Sequence, residues 1–236
     1  MSIATLGTVS LGTFAVNITG TSGSLAHTSS VTFSVSNTTL LPGSISLDFG
    51  DRGTSLMASS EVAGVVAKSN WNHATGASST SPLSLVDETG AITIATVSWA
   101  SDNTWSTPIS DQPGNFRMMR SYLDTGNVNP TTVTVSGLQP GAYDVYVFVD
   151  GDDAGATHSG VYQLSGPGIT SRSVNLTDPP NLNFNGTFIQ ANNSNGNYLL
   201  FSGITSSGFT LTATPGQTSN NNPRAPVNGI EIAPHL

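Results

Sequence analysis

Five Pro-Gly pairs cut this chain into short pieces, and that punctuation limits what it can become: Pro42-Gly43, Pro113-Gly114, Pro140-Gly141, Pro167-Gly168 and Pro215-Gly216. Proline presets φ at the first central position of a type II turn, and glycine supplies the positive φ of the second. Between the turns lie β-branched and aromatic runs at 44–49, 92–99, 131–136, 142–149, 171–176, 186–190, 197–202, 208–213 and 227–232. Many short strands with repeated turn signals predict an all-β sandwich or barrel. A length of 236 residues suits one large β domain. The one helical window is 55–67, and Gly64 with Val65 and Val66 weakens it.

The strongest local pattern is Thr131–Ser136, then Gly137-Leu-Gln-Pro-Gly141, then Ala142–Val149, which reads as a hairpin. Side chains alternate along a strand. Tyr143, Val145, Val147 and Val149 therefore share one face, and Asp144, Tyr146, Phe148 and Asp150 share the other. A strand apolar on both faces is central and covered twice. Tyr146 and Phe148 are read as lying under a long loop rather than as a ligand platform, because large aromatics in strands are mostly core.

Composition narrows function more than fold. Charged residues are 8% of the chain, against about 25% in an ordinary soluble domain, and there is no cysteine. Ser, Thr, Gly and Asn supply the polarity, a surface suited to neutral polar partners such as sugars. The net charge of −8 and only six Lys and Arg argue against nucleic acid, which needs clustered cations. No apolar stretch approaches the ~20 residues of a membrane span. The N-terminus carries neither the basic nor the apolar region of a signal peptide; a mature secreted protein with Met1 added as a start would read the same. These features together lead to the expectation of an exported, extracellular bacterial protein.

Residues 1–38 differ from the rest. Thr13–Ile18 and Ser30–Val35 alternate around Gly20-Thr-Ser-Gly23, and the segment resembles the closing hairpin of bacterial immunoglobulin-like repeats. A lone hairpin is marginal in water. The expected division is a hairpin remnant of a neighbouring module at 1–38 and a main domain at 39–236, both cut from a longer multidomain chain.

Three segments of the main domain carry a second resemblance: Ser44-Ile-Ser-Leu-Asp-Phe-Gly50, the stretch 131–150, and Arg224-Ala-Pro-Val-Asn-Gly-Ile-Glu-Ile232. They look like the galactose-binding-like jelly rolls, which include malectin-like domains and many carbohydrate-binding modules. The resemblance implies an antiparallel jelly-roll β-sandwich with first and last strands paired, and often a structural calcium. Fold analogy alone is a weak warrant for function.

The chemistry-bearing residues follow from the same reading. Asp150, Asp152 and Asp153 could converge on a hard cation such as Ca²⁺, which takes several oxygen ligands; equally, they form an acidic turn whose carboxylates cap backbone N–H groups. Asp48 and Asp51 are a weaker second pair. No Gly-x-Ser-x-Gly elbow, thiol or zinc spacing is present, and the four histidines (His27, His73, His158, His235) read as surface residues. A glycosidase needs two suitably spaced carboxylates, and nothing selects a pair among Asp150, Asp152, Asp153 and Glu61. Sugar binding asks for an aromatic face with amides and guanidinium groups beside it. Asn70-Trp71-Asn72, Trp105, and Asn115 with Arg117, Arg120 and Tyr122 offer that mix. For each tryptophan taken singly, the competing reading is an indole buried to anchor its loop. Trp99 is assigned to the core, and Arg117 is alternatively a structural partner of Asp111 or Asp124. The expected function is a non-catalytic polysaccharide-binding module, with a structural or adhesive domain second and a glycoside-active enzyme third.

Overall fold

A computed structural model describes residues 12–35, 43–50, 53–126, 129–152 and 155–235. The chain divides into two units, Met1–Leu41 and Pro42–Leu236. The first contains β1 (Gly12–Ser22) and β2 (Leu25–Val35), an antiparallel hairpin whose register runs from Gly12 opposite Val35 to Ser22 opposite Leu25. Opposed residues share a face, so Phe14 with Phe33 and Val16 with Val31 build one apolar stripe, all of it exposed.

In chain order the second unit contains β3 (Ile45–Asp48), β4 (Asn72–His73), β5 (Leu83–Val86), β6 (Ile92–Ala100), β7 (Asn103–Ser106), α1 (Asn115–Arg120), β8 (Ser121–Asp124), β9 (Thr131–Ser136) and β10 (Tyr143–Phe148). It continues with β11 (His158–Gly166), β12 (Ile169–Asp178), β13 (Ser194–Asn195), β14 (Tyr198–Ile204), β15 (Gly208–Thr218) and β16 (Gly229–Pro234). Two sheets form, in the orders β14-β10-β16-β3-β4 and β13-β12-β11-β15-β9-β6-β5, with β7 and β8 as a separate ribbon. Pairing is antiparallel except for the short edge pairs β3 with β4 and β12 with β13. The molecule is an all-β sandwich, 52% strand and 3% helix, compatible with a jelly roll. The first and last strands of the main unit pair as expected, Leu47 opposite Ile230 and Ser46 opposite Glu231.

The sheets share one apolar core. Leu47, Val145, Val147, Phe201, Ile230 and Ile232 come from one side; Val97, Val133, Tyr162, Leu164, Phe209 and Leu211 come from the other. Burying each such side chain stabilises by about 1.5–3 kcal/mol. A second, smaller core lies on the outer face of β10, where Trp71, Met118, Met119 and Phe184 surround Phe148. Phe148 and Trp71 sit 6.0 Å apart by ring centroids, and Phe148 and Phe188 sit 5.2 Å apart. Tyr146 and Phe148 therefore lie under loops, and β10 is covered on both faces.

Four local expectations need correction. The 131–149 segment is not a hairpin: β9 pairs with β15 and β6, and β10 pairs with β14 and β16, in different sheets. Residues 137–142 cross between the sheets, and the Tyr143 hydroxyl fastens that crossing by donating to the Gln139 carbonyl at 2.8 Å. The window 55–67 contains no helix. Side chains from elsewhere occupy its backbone donors instead: Asn115 accepts from Gly64 N–H at 2.9 Å and Glu231 from Val66 N–H at 3.2 Å. No strand forms at 186–190, where Gln190 makes a single bridge to Tyr198. Of the Pro-Gly pairs, Gly114 (φ 80°) and Gly168 (φ 72°) take the positive φ expected of them. Pro215-Gly216 instead lies inside β15, beside the irregular pairing with His158–Gly160, a position where a sheet tolerates proline.

Candidate functional site

The β7–β8 ribbon pairs Asn103 with Asp124, Thr104 with Leu123 and Trp105 with Tyr122. Alternation sends Thr104 and Leu123 inward, both buried. It sends the other four to one face, where they line an open cleft of about 240 Å³ with Asp152, Asn222 and Arg224. The cleft is smaller than the ~300–1,000 Å³ typical of sites that enclose a drug-sized ligand. It suits one ring of a longer chain passing across it.

Each wall is fixed by hydrogen bonds. Trp105 is 40% exposed, and its Nε1–H donates to Asp152 Oδ2 at 3.3 Å. The buried Tyr122 hydroxyl accepts from Asp152 N–H at 3.1 Å, which sets the floor; burial holds that phenol well above its ordinary pKa. Arg224 Nε lies 3.0 Å from Asp124 Oδ1, and its Nη1 donates to the carbonyls of Gly126 (2.9 Å) and Pro223 (3.0 Å). Burial raises the pKa of Asp124, with Arg224 opposing the shift. An ion pair so held presents fixed polar edges beside a partly exposed indole. That combination can stack on pyranose C–H groups and pair with hydroxyls.

The other sequence-derived candidates lie elsewhere. Trp71 is buried, packed on Phe148 with its Nε1–H donated to the Lys68 carbonyl at 2.9 Å. Asn70, in a left-handed conformation (φ 55°), donates to the Glu88 carbonyl at 2.7 Å. Buried Asn72 bonds the Ser46 carbonyl of one sheet and the Val86 backbone of the other, stapling the sandwich together. Asn115 holds Gly64, as described above. Arg117 pairs with Asp111 at 2.9 Å and with Glu61, the structural role weighed for it, though with Glu61 rather than Asp124 beside Asp111. Burial would raise the Asp111 pKa, but hydrogen bonds from Ser55 and Arg117 outweigh it and hold the group at about 2. Arg120 is half-buried at the end of α1 and does not line the cleft. Of the eight proposed ligand residues, Trp105 and Tyr122 come together.

The acidic turn also splits. Asp150 is buried and its Oδ2 accepts from Phe184 N–H at 3.0 Å, while Asp152 faces the cleft. Asp153 and Asp51 lie outside the described residues. Among the described residues no group of three or more Asp, Glu or His is placed to hold a metal. Asp48 is committed to His73 at 2.6 Å. His73 is half-buried, with Nε2 2.9 Å from the Met57 carbonyl, and His158 is 4% exposed, so neither is the surface residue expected. Both His73 nitrogens face acceptors, and the bond to Asp48 raises its pKa.

Asp124, Asn222 and Arg224 were not read as ligand residues from the sequence. The available signal was alternation at 103/105 and 122/124, hidden because neither stretch is rich in β-branched residues. A second surface cavity of about 270 Å³, lined by Leu182, Ile189, Asn195 and Asn197 among others, lacks an aromatic face. No protein-family model matches the chain, and comparison with curated proteins gives no significant match.

Proposed function

We propose that this protein is a non-catalytic carbohydrate-binding module of the galactose-binding-like type, working in a secreted multidomain bacterial protein. The observation that carries the reading is the half-open indole of Trp105, held on the same ribbon face as the Asp124–Arg224 ion pair. Scarce charge, a hydroxyl- and amide-rich surface and an all-β sandwich support it. Glycan-array screening of the chain and of Trp105→Ala tests it directly. Binding to at least one plant, algal or bacterial polysaccharide is expected, with loss in the variant and no sugar release; silence across the array contradicts it. A structural or adhesive role is the second reading. The apolar stripe of the β1–β2 hairpin, Phe14, Val16, Val31 and Phe33, is the observation on its side.

A further inference from the structure

Resting on that reading, we propose that the Trp105 cleft selects glycans that carry a protonated ring amine, as in 2-amino-2-deoxyhexose units, over neutral and anionic ones. Among the described residues two carboxylates, Asp124 and Asp152, line the cleft against one guanidinium, Arg224. Arg224 is turned onto Asp124 at 3.0 Å and onto two backbone carbonyls, so these two charges offset each other within the wall and Asp152 remains as the carboxylate beside the indole. Asp152 meets the neutral Trp105 N–H at 3.3 Å. A cation resting on the Trp105 face would meet the negative face of the ring and the Asp152 carboxylate together. A uronate or sulfate would instead face like charges, on a chain of net charge −8.

The test titrates three probes by calorimetry at mildly acidic pH: a glucosamine tetramer, its fully N-acetylated counterpart and a galacturonate tetramer. The glucosamine tetramer is expected to bind about tenfold or more tighter than the acetylated one, close to the tenfold that one cation–π contact supplies. Galacturonate is expected not to bind. Asp152→Asn keeps an acceptor for the indole N–H but removes the charge, so it should erase the preference while leaving residual binding. Added salt should narrow it. Trp105→Ala should remove binding of both amino-sugar probes. Trp105-dependent binding with equal or reversed preference overturns the amine selection and leaves the glycan reading standing. Glucosamine binding unchanged by Trp105→Ala is diffuse attraction to an acidic chain and overturns the inference. No binding of the glucosamine tetramer overturns the inference, and together with a silent array it overturns the glycan reading as well.

Discussion

Trp71 and Trp105 start from similar sequence and end in opposite roles. Both sit among Asn and small polar residues, in Asn70-Trp71-Asn72-His73 and Asp102-Asn103-Thr104-Trp105. Trp71 is 4% exposed and Trp105 is 40% exposed. The difference lies in what opposes each. Trp71 lies over Gly229 of β16, where an added Cβ would come within 3.3 Å of the indole, and against Phe148. Asn72 next to it staples the two sheets. Trp105 projects from a ribbon outside both sheets, and its same-face neighbours are Tyr122, whose hydroxyl bonds Asp152 N–H, and the polar Asn103 and Asp124. Composition around an aromatic therefore says little about its burial. The partner strand decides it.

The contrast can be broken most forcefully by truncation. Trp71→Ala should cost about 3–5 kcal/mol, the range for removing a large buried aromatic, read from denaturant unfolding. Trp105→Ala should change stability by less than about 1 kcal/mol. Comparable losses would show that the two indoles are equivalent anchors.

A pH series sharpens the same contrast, because the Trp71 side also holds the titrating groups. Glu231 is fully buried, Oε2 accepts from Val66 N–H, and burial raises its pKa from 4.5 to about 7. The close approach depends on Gly64, where a Cβ would stand 2.7 Å from Glu231 Oε2. Between those pH values the folded chain holds a proton that the unfolded chain has released, so stability falls as pH rises. The loss is on the order of 3 kcal/mol. Glu231→Gln should flatten that slope and leave the protein more stable than the native chain at pH 8; an unchanged slope would place the titration elsewhere.

His73 adds a smaller effect of the same sign. Its pKa is raised in the folded state, so its contribution is complete below 6.5 and is lost as pH rises through the folded value. His73→Gln should remove that part of the slope. The smallest expected effect is optical: acrylamide should quench Trp105 emission more than that of Trp71 or Trp99, and Trp105→Phe should remove the quenchable fraction.

Strand content was legible wherever one face of a strand was continuously apolar, as at β3, β9, β10 and β16. Partner choice at β9 and β10 was not. Both strands are apolar enough to belong to either sheet, and a Pro-Gly turn serves a crossing as well as a hairpin. β11 escaped notice because its inward positions His158, Gly160, Tyr162 and Leu164 include a glycine and a histidine. The aromatic part of the cleft was legible, Trp105 and Tyr122, because aromatic residues announce themselves. Arg224 and Asn222 approach from a segment nearly one hundred residues downstream of the ribbon, a distance that local pattern does not bridge.

The central claim is that the exposed indole, and not the buried one, meets a glycan. The chain has three tryptophans, whose indole N–H groups bond to the Lys68 carbonyl, the Gly76 carbonyl and Asp152. Three indole N–H resonances can therefore be assigned with Trp→Phe variants and followed while an array-positive glycan is added. The Trp105 signal is expected to shift in a saturable way while those of Trp71 and Trp99 stay in place. A saturable shift confined to Trp71 or Trp99, or binding that leaves Trp105 unmoved, would contradict it.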